Sequence, residues 1–417
     1  MRTLKVYINL NFIGILSELN NIWQFKYTEF WLNTQDNYPL SPDIPLSQQI
    51  QIDGATNRPI QWFFDNLLPE EGARELLAQD TKVTISDAFG LLEAAGAESA
   101  GAITLTNLDL NSLQAELRPL TEQQINQRIS LLPDIPLNGR DAKRMSLAGA
   151  QHKMLVTLDN NGNIFEPINN AISTHILKPQ HSKPDLYWQT VRNEWFVMCL
   201  ARKLGLTTPD VSVCYFPQPA YIVKRFDRDD QGRIHTLDAC QLLGLSHTYK
   251  YRESSIERLN QVAQACRASA LARITIFRWI IFNTLVGNTD AHLKNISVFY
   301  NHTGVTVAPM YDLVSTAIYS DGQPVDSVLS QILNGKLYLA DVTQDDLIVT
   351  AKSLGIHRTV AQREITNQLN KIESEAITLY KQVEVDSTIP ASYKAGELKM
   401  LREIIYLVIK EMVSKLN

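Results

Sequence analysis

Apolar residues along this chain fall into two spacings, and each spacing predicts a different kind of element. Near the N-terminus Leu4, Val6 and Ile8 alternate with polar positions, the period-two pattern of a strand with one buried face. The same alternation over Ile296–Tyr300 and Val305–Ala308, split by the turn residues Asn301–Gly304, predicts a β-hairpin. Further strands are read at Met154–Leu158, closed by the turn Asp159–Asn163, at Ser173–Pro179 and at Ala220–Arg228. Helical spacing appears over Asn193–Leu204, with Trp195, Cys199 and Leu200 on one face and Gly205 as the stop. The most apolar run, Ile274–Val286, reads as a core helix delivering the loop that begins at Gly287. From Asp345 onward the pattern is helical, and Leu398, Leu401, Ile405, Val408 and Met412 share one face of a terminal helix.

These elements group into an organisation. Residues 1–105 predict a small α+β subdomain, several short strands plus a helix near Pro69–Gln79. The polar stretch within 106–140 reads as a connecting segment, 141–228 as a β-rich nucleotide-binding unit, and 229–417 as a mainly helical lobe. At 417 residues the chain is long enough for two or more cores. A net charge of −5 supplies no global basic field for independent nucleic-acid binding. The four cysteines, Cys199, Cys214, Cys240 and Cys266, lack C-x-x-C spacing, which argues against zinc and for reduced, packed thiols. Met1–Asn11 has strand-like alternation rather than a signal-peptide pattern, and Ile274–Val286 carries Arg278 and is too short to span a bilayer. The expectation is a cytoplasmic protein without a membrane partner.

Candidate chemistry concentrates around the hairpin. A hairpin returns the chain to the end it left, so Asp290 and Asn295 before it are expected near Asp312 after it. Two carboxylates and a carboxamide form a hard, oxygen-only site suited to Mg²⁺ on a nucleotide phosphate. Asp290 and Asn295 also have the D-x-x-x-x-N interval of a kinase catalytic loop, where the Asp takes a hydroxyl proton and the Asn ligates metal. Asn and Asp close turns everywhere, so the hexapeptide carries this reading only together with the hairpin and Asp312. Upstream, Ser146–Lys153 places small residues before a strand, where Ala148, Gly149, Ala150, Gln151 and His152 let backbone N–H groups approach phosphate and Lys153 adds charge. Lys178, on the strand 173–179, matches the lysine that pairs α/β-phosphates, and Glu194 is its candidate partner. The run Ala220–Arg228 reads as a hinge for adenine, with Phe226 to cover the ring and Asp227 to take a ribose hydroxyl.

These segments together resemble the HipA family, the serine/threonine kinase toxins of bacterial HipA–HipB toxin–antitoxin pairs. The matching strings are S-L-A-G-A-Q-H-K (146–153), H-I-L-K-P (175–179), V-K-R-F-D-R (223–228), D-A-C-Q-L-L-G-L (238–245), F-N-T-L-V-G-N-T-D-A-H-L-K-N (282–295) and A-P-M-Y-D-L-V-S-T (308–316). W-F-F-D-N-L-L-P-E (62–70) and G-A-I-T-L (101–105) look like the family's N-terminal subdomain. The resemblance implies an α+β, two-lobed, protein-kinase-like fold using ATP and Mg²⁺. It implies that Asp290 is the catalytic base, that Asn295 and Asp312 hold Mg²⁺, and that Lys178 and Lys153 contact phosphates. Lys224 and Phe226 would meet adenine through their main chains beside Arg225 and Asp227, while His292, Lys294 and Tyr311 lie in nucleotide-contacting segments. Ser146 would be an autophosphorylation site whose modification silences the kinase, as two added negative charges beside nucleotide phosphates are repelled.

The resemblance further implies a helix-turn-helix, HipB-like antitoxin that reaches operator DNA with the toxin, and an aminoacyl-tRNA synthetase as target, glutamyl-tRNA synthetase first. Two departures stand out: His152 replaces a usual acidic residue, and Lys224 a usual glutamate. Rival readings are a small-molecule phosphotransferase of kinase-like fold and a pseudokinase co-repressor acting with a DNA-binding antitoxin.

Overall fold

The computed structural model describes residues 1–112, 114–135, 137, 145–146, 149 and 151–417. The N-terminal unit is a five-stranded antiparallel sheet. Its strands β1 (Arg2–Ile8), β2 (Asn11–Leu19), β3 (Ile22–Tyr27), β4 (Gln51–Ile52) and β6 (Ile103–Thr106) lie in the order β4-β3-β2-β1-β6, with a two-residue β5 (Glu98–Ser99) outside it. The alternation of Leu4, Val6 and Ile8 holds, since all three are buried. Four helices cover this sheet: α1 (Glu29–Leu32), α2 (Pro59–Asp65), α3 (Glu71–Thr81) and α4 (Ala88–Ala95). The expected helix near Pro69–Gln79 is α3, whereas α2 and α4 lie in stretches where no helix was expected.

The second layer is a six-stranded antiparallel sheet in the order β12-β13-β11-β9-β10-β7. The segment 106–140 does not merely connect: it supplies the edge strand β7 (Glu116–Pro119) and a helix α5 (Glu122–Ser130). Ile125 and Ile129 of α5 close a separate small core with Met154, Val156, Leu177 and Ile222. A Thr121–Gln124 capping box starts this helix, a signal hidden in a polar-looking stretch. After β8 (Met145–Ser146), which pairs in parallel with β5, come β9 (Met154–Leu158), β10 (Ile164–Ile168) and β11 (His175–Pro179). Helix α6 (Thr190–Lys203) and the strands β12 (Val211–Phe216) and β13 (Gln218–Lys224) complete the layer. Helix α6 ends before Gly205 as expected, at φ +85, but its fully buried face is Phe196, Val197, Leu200 and Ala201, with Trp195 and Cys199 only partly covered.

The third unit opens with short β14 (Arg228–Asp229), β15 (Gly232–Arg233) and β16 (Thr236–Asp238), then α7 (Ala239–Leu242), α8 (Ile256–Ala265) and α9 (Ser269–Val286). Helix α9 is longer than its apolar run: at 18 residues and a mean hydropathy of 1.3 it has the length of a membrane span, yet 61% of it packs inside the protein, as expected of a core helix. The predicted hairpin is present as β17 (Ser297–Asn301) and β18 (Gly304–Val307), joined to β16 in a three-stranded sheet. A second hairpin, β19 (Val328–Leu333) and β20 (Lys336–Tyr338), precedes α10 (Gln344–Ser353), α11 (Arg358–Val385), α12 (Ala391–Glu403), a π-turn at Ile404–Ile409 and α13 (Lys410–Leu416). The terminal stripe Leu401, Ile405, Val408 and Met412 is buried core, with Leu398 packed at its margin. The N-terminal sheet and this helical unit share one continuous apolar core, so residues 1–105 do not stand as an isolated module. All four cysteines are free thiols.

Candidate active site

A cleft of about 850 Å³ lies between the six-stranded sheet and the helical unit. Strand alternation decides what faces it. In β11 Leu177 points to the small core under α5, so Ile176 and Lys178 point to the cleft; on β13, Tyr221 and Val223 stand opposite them. Lys178 is therefore a buried ammonium on the cleft wall. Its Nζ lies 2.7 Å from Glu194 Oε1 on α6 and 2.6 Å from Asp312 Oδ1 beyond the hairpin. Burial alone would drive the lysine proton off, but Asp312 and Glu194 hold its pKa above the usual value. Burial pushes Glu194 up to about 7, and Lys178 with Lys153 keeps Asp312 ionised at about 2 despite burial. Partly buried Lys153 is lowered to about 8 by burial and by Lys178.

The opposite wall is the loop after α9. Gly287 ends that helix at φ +62, where an added Cβ would sit 2.7 Å from Val408 Cγ1 and 2.8 Å from Ala317 Cβ. Only glycine fits there. The loop is then pinned at each residue. Asn288 Nδ2 donates to Asn283 Oδ1 at 2.9 Å, and Thr289 N–H donates to Thr316 Oγ1 at 2.7 Å. Gln331 Nε2 donates to the Ala291 carbonyl, and Asn295 Nδ2 to the Asp290 carbonyl at 2.7 Å. The Asp290 carboxylate remains half exposed to the cleft and accepts from the Tyr251 hydroxyl. The cleft walls push its pKa up to about 6, against the pull of Tyr251 and with Asp312 adding to the rise. Asp312 sits at φ +57, a left-handed conformation that side chains other than glycine rarely adopt and that functional sites retain.

A family model for the HipA-like C-terminal domain matches residues 145–376, and one for the HipA N-terminal domain matches residues 4–106. A putative kinase of Sinorhizobium fredii, Y4mE, is 34% identical over 361 residues, spanning 82% of this chain and 83% of that protein. The serine/threonine-protein kinase toxin HipA of Shewanella oneidensis is 34% identical over 345 residues, 76% of each chain. The solved structure of HipA, HipB and operator DNA from that organism aligns at a TM-score of 0.79 and 28% identity over 99% of both chains. This chain belongs to the HipA family.

As a HipA-family kinase it has the expected α+β, kinase-like architecture, and the 2.7 Å pairing of Lys178 with Glu194 has the geometry of a kinase strand-lysine to helix-glutamate ion pair. Asp290, Asn295 and Asp312 do line one cleft, with Gly149, Gln151, His152, Lys153, Lys224, Phe226, His292 and Tyr311. The Gly149 carbonyl accepts from Glu70 N–H at 3.2 Å, and its φ of +109 requires glycine. Gln151 Nε2 donates to the Pro179 carbonyl at 3.3 Å. Burial, then Lys153, lowers the His152 pKa, which favours the neutral imidazole. Ala148 and Ala150 lie outside the described residues. Ser146 is placed only by its backbone, paired with Ser99 between β8 and β5. Phe226 stacks near Tyr311 at 5.4 Å between ring centres, and the Tyr311 hydroxyl donates to the Lys294 carbonyl at 2.6 Å. His292 is buried and lowered to about 4 by burial, so its ring is neutral beside Tyr251.

Three of the residues expected at the nucleotide already have partners within the protein. The Asp227 oxygens accept from Arg225 Nε at 2.9 Å, Arg225 Nη2 at 2.7 Å and Gly101 N–H at 2.7 Å. Arg225 is in turn buried against Glu98 and the Ser99 carbonyl. This is a structural ion cluster tying the hinge to the N-terminal subdomain. The Lys294 ammonium is spent on Asn66 O and Oδ1 at 2.9 Å and on Asp238 Oδ2 at 3.0 Å. The Lys224 N–H already donates to the Asp210 carbonyl at 2.9 Å, so an adenine edge would have to meet its carbonyl. Sequence reasoning assigned no role to Tyr251, Asn66, Glu70, Lys250 or Asp238. For Asn66, Glu70 and Asp238 the strings 62–70 and 238–245 were the available signal, and with Lys250 and Tyr251, which lie outside both, they supply a third wall of the cleft.

The donors fit a hard cation. Asn295, with its amide nitrogen committed to Asp290, offers its carboxamide oxygen, and Asp312 is held ionised. Among the described residues no group of three or more His, Cys, Asp and Glu could hold a metal by itself, so phosphate oxygens and water would complete the shell.

Proposed function

We propose that this kinase is an ATP- and Mg²⁺-dependent serine/threonine protein kinase toxin that acts in the cytoplasm. Its target on this reading is an aminoacyl-tRNA synthetase, glutamyl-tRNA synthetase first, whose phosphorylation halts translation. A HipB-like helix-turn-helix antitoxin restrains it and takes it to operator DNA, and phosphorylation of its own Ser146 silences it. The observation that carries the catalytic part is Lys178 held between Glu194 and Asp312 across the cleft from Asp290. The antitoxin is supported by the HipA–HipB–operator DNA assembly of the structural relative, and the toxin role by the name of the Shewanella relative.

Each residue then has a task. Lys178 and Lys153 place two ammonium groups on the phosphate side of the cleft. Asp290, with a pKa near 6, is ionised at neutral pH and accepts the proton of an attacking serine or threonine hydroxyl. Tyr251 and the pinned loop fix the direction of that carboxylate. Asn295 and Asp312 would hold Mg²⁺, which neutralises charge on the transferring phosphoryl group. The test is Asp290→Gln, followed by phosphoproteomics after induction of both forms and intact-mass mapping after incubation with Mg-ATP. Phosphoryl transfer falls by about two to four orders of magnitude, the usual worth of a general base, while nucleotide still raises the melting temperature. Undiminished transfer would remove Asp290 from its role.

A further inference from the structure

We infer that Glu70, on the N-terminal subdomain, is a positioning residue for phosphoryl transfer that sets the catalytic loop through Lys250 and Tyr251. Glu70 precedes α3 and is 5% exposed. Its Oε2 accepts from Lys250 Nζ, and its Oε1 lies 3.4 Å from Lys294 Nζ, beside catalytic-loop Asn295. The Lys250 carbonyl accepts from Leu293 N–H of that loop at 3.3 Å, and its ammonium sits 5.1 Å from the centre of the Tyr251 ring. The Tyr251 hydroxyl in turn bonds Asp290. At the same residue, the Glu70 N–H holds the Gly149 carbonyl of the phosphate loop. One residue outside both lobes thus grips the phosphate loop by its main chain and the base-bearing loop by its side chain.

A purely mechanical brace between subdomains gains little from three buried charges, since apolar side chains of similar size hold at least as well. What the charges add is direction. Glu70 holds Lys250 in the place where it packs on Tyr251, whose hydroxyl bonds Asp290.

The inference rests on the kinase reading, and the test separates the two. Initial rates of phosphoryl transfer from ATP to the hydroxyls of a saturating serine/threonine acceptor protein (dephosphorylated casein), with Mg²⁺ present and ADP as the leaving product, are measured against ATP concentration for the wild type, Glu70→Gln, Lys250→Met and the double variant. Glu75→Gln, an exposed neighbour on α3, is the charge-matched control. Absence of phosphoryl transfer in the wild type, both to the acceptor and to its own Ser146, would sink the kinase reading itself. If the wild type turns over, kcat of Glu70→Gln falls about 10- to 100-fold, the cost of roughly 1 Å of misplacement, with KM for ATP nearly unchanged. The Mg-ATP shift in melting temperature persists, and the double variant is no slower than the slower single one. Glu70 loses the assigned role if kcat stays at the wild-type value, if the loss appears in KM and the ATP shift instead, or if Glu75→Gln loses as much. Should Glu70→Gln not fold, Lys250→Met alone must show the kcat loss, and wild-type kcat in that variant overturns the inference.

Discussion

Replacing Lys178 by methionine keeps the length of the side chain and deletes its charge. Glu194, 3% exposed, and Asp312 would then face one another without the ammonium that now sits 2.7 and 2.6 Å from them. Breaking a buried pair from one side costs about 3–5 kcal/mol. Asp312 is 38% exposed and Lys153 stays nearby, so roughly 2–3 kcal/mol is the discounted expectation, a fall of several degrees in melting temperature. The loss must depend on pH with a definite sign. Glu194 already has a raised folded pKa of about 7, and losing Lys178 raises it further. A carboxylic acid whose pKa is raised by folding is most stabilising below its unfolded value near 4.5 and loses that contribution as pH climbs through the folded value. The gap between wild type and Lys178→Met is therefore smaller at pH 5.5 than at pH 8, and Glu194→Gln on the variant background recovers much of it. Thermal denaturation at the two pH values, with and without Mg-ATP, measures all of this. An equal gap at both values, or none, would refute the electrostatic account of the triad.

Three further outcomes follow from the same geometry. Because Asp290 acts unprotonated, the rate should rise with pH through about 6; Tyr251→Phe removes the hydrogen bond that lowers its pKa, so the acid limb of the pH–rate profile moves to higher pH. Gly287→Ala forces a Cβ into Val408 and Ala317 at φ +62 and should cost about 2–4 kcal/mol, seen as a lower denaturation midpoint. Asp227→Asn takes from the buried Arg225 and Arg228 one of their two carboxylate partners, Glu98 remaining; stability falls by about 3 kcal/mol while KM for ATP scarcely changes, and a raised KM at unchanged stability would support the ribose role.

Much of the site was legible because its residues sit at fixed offsets within short segments. The catalytic loop, the hairpin and Asp312 follow from turn chemistry and a period of two, and the chain returns where that arithmetic says it must. Lys178 was legible as a strand lysine, and its partner Glu194 as a residue on the next helix. What the sequence did not show has one cause. Arg225, Asp227 and Lys294 stand in segments that line the cleft, yet their charges are consumed by Glu98, Gly101, Asn66 and Asp238 from other parts of the chain. Segment 106–140 looked polar because α5 buries only one narrow face.

By itself the sequence determined the local elements, the spacing of the catalytic loop and the family, since periodicity, caps and turns act over a few residues. Only the tertiary structure decided which charges meet in the cleft and which are paired inside the fold. Lys178 meets Asp312 across 134 residues, and Lys250 meets Glu70 across 180. No local pattern encodes such pairs; they exist because one shared apolar core brings the N-terminal sheet against the helical unit. A buried charge must then take whichever partner that packing sets beside it.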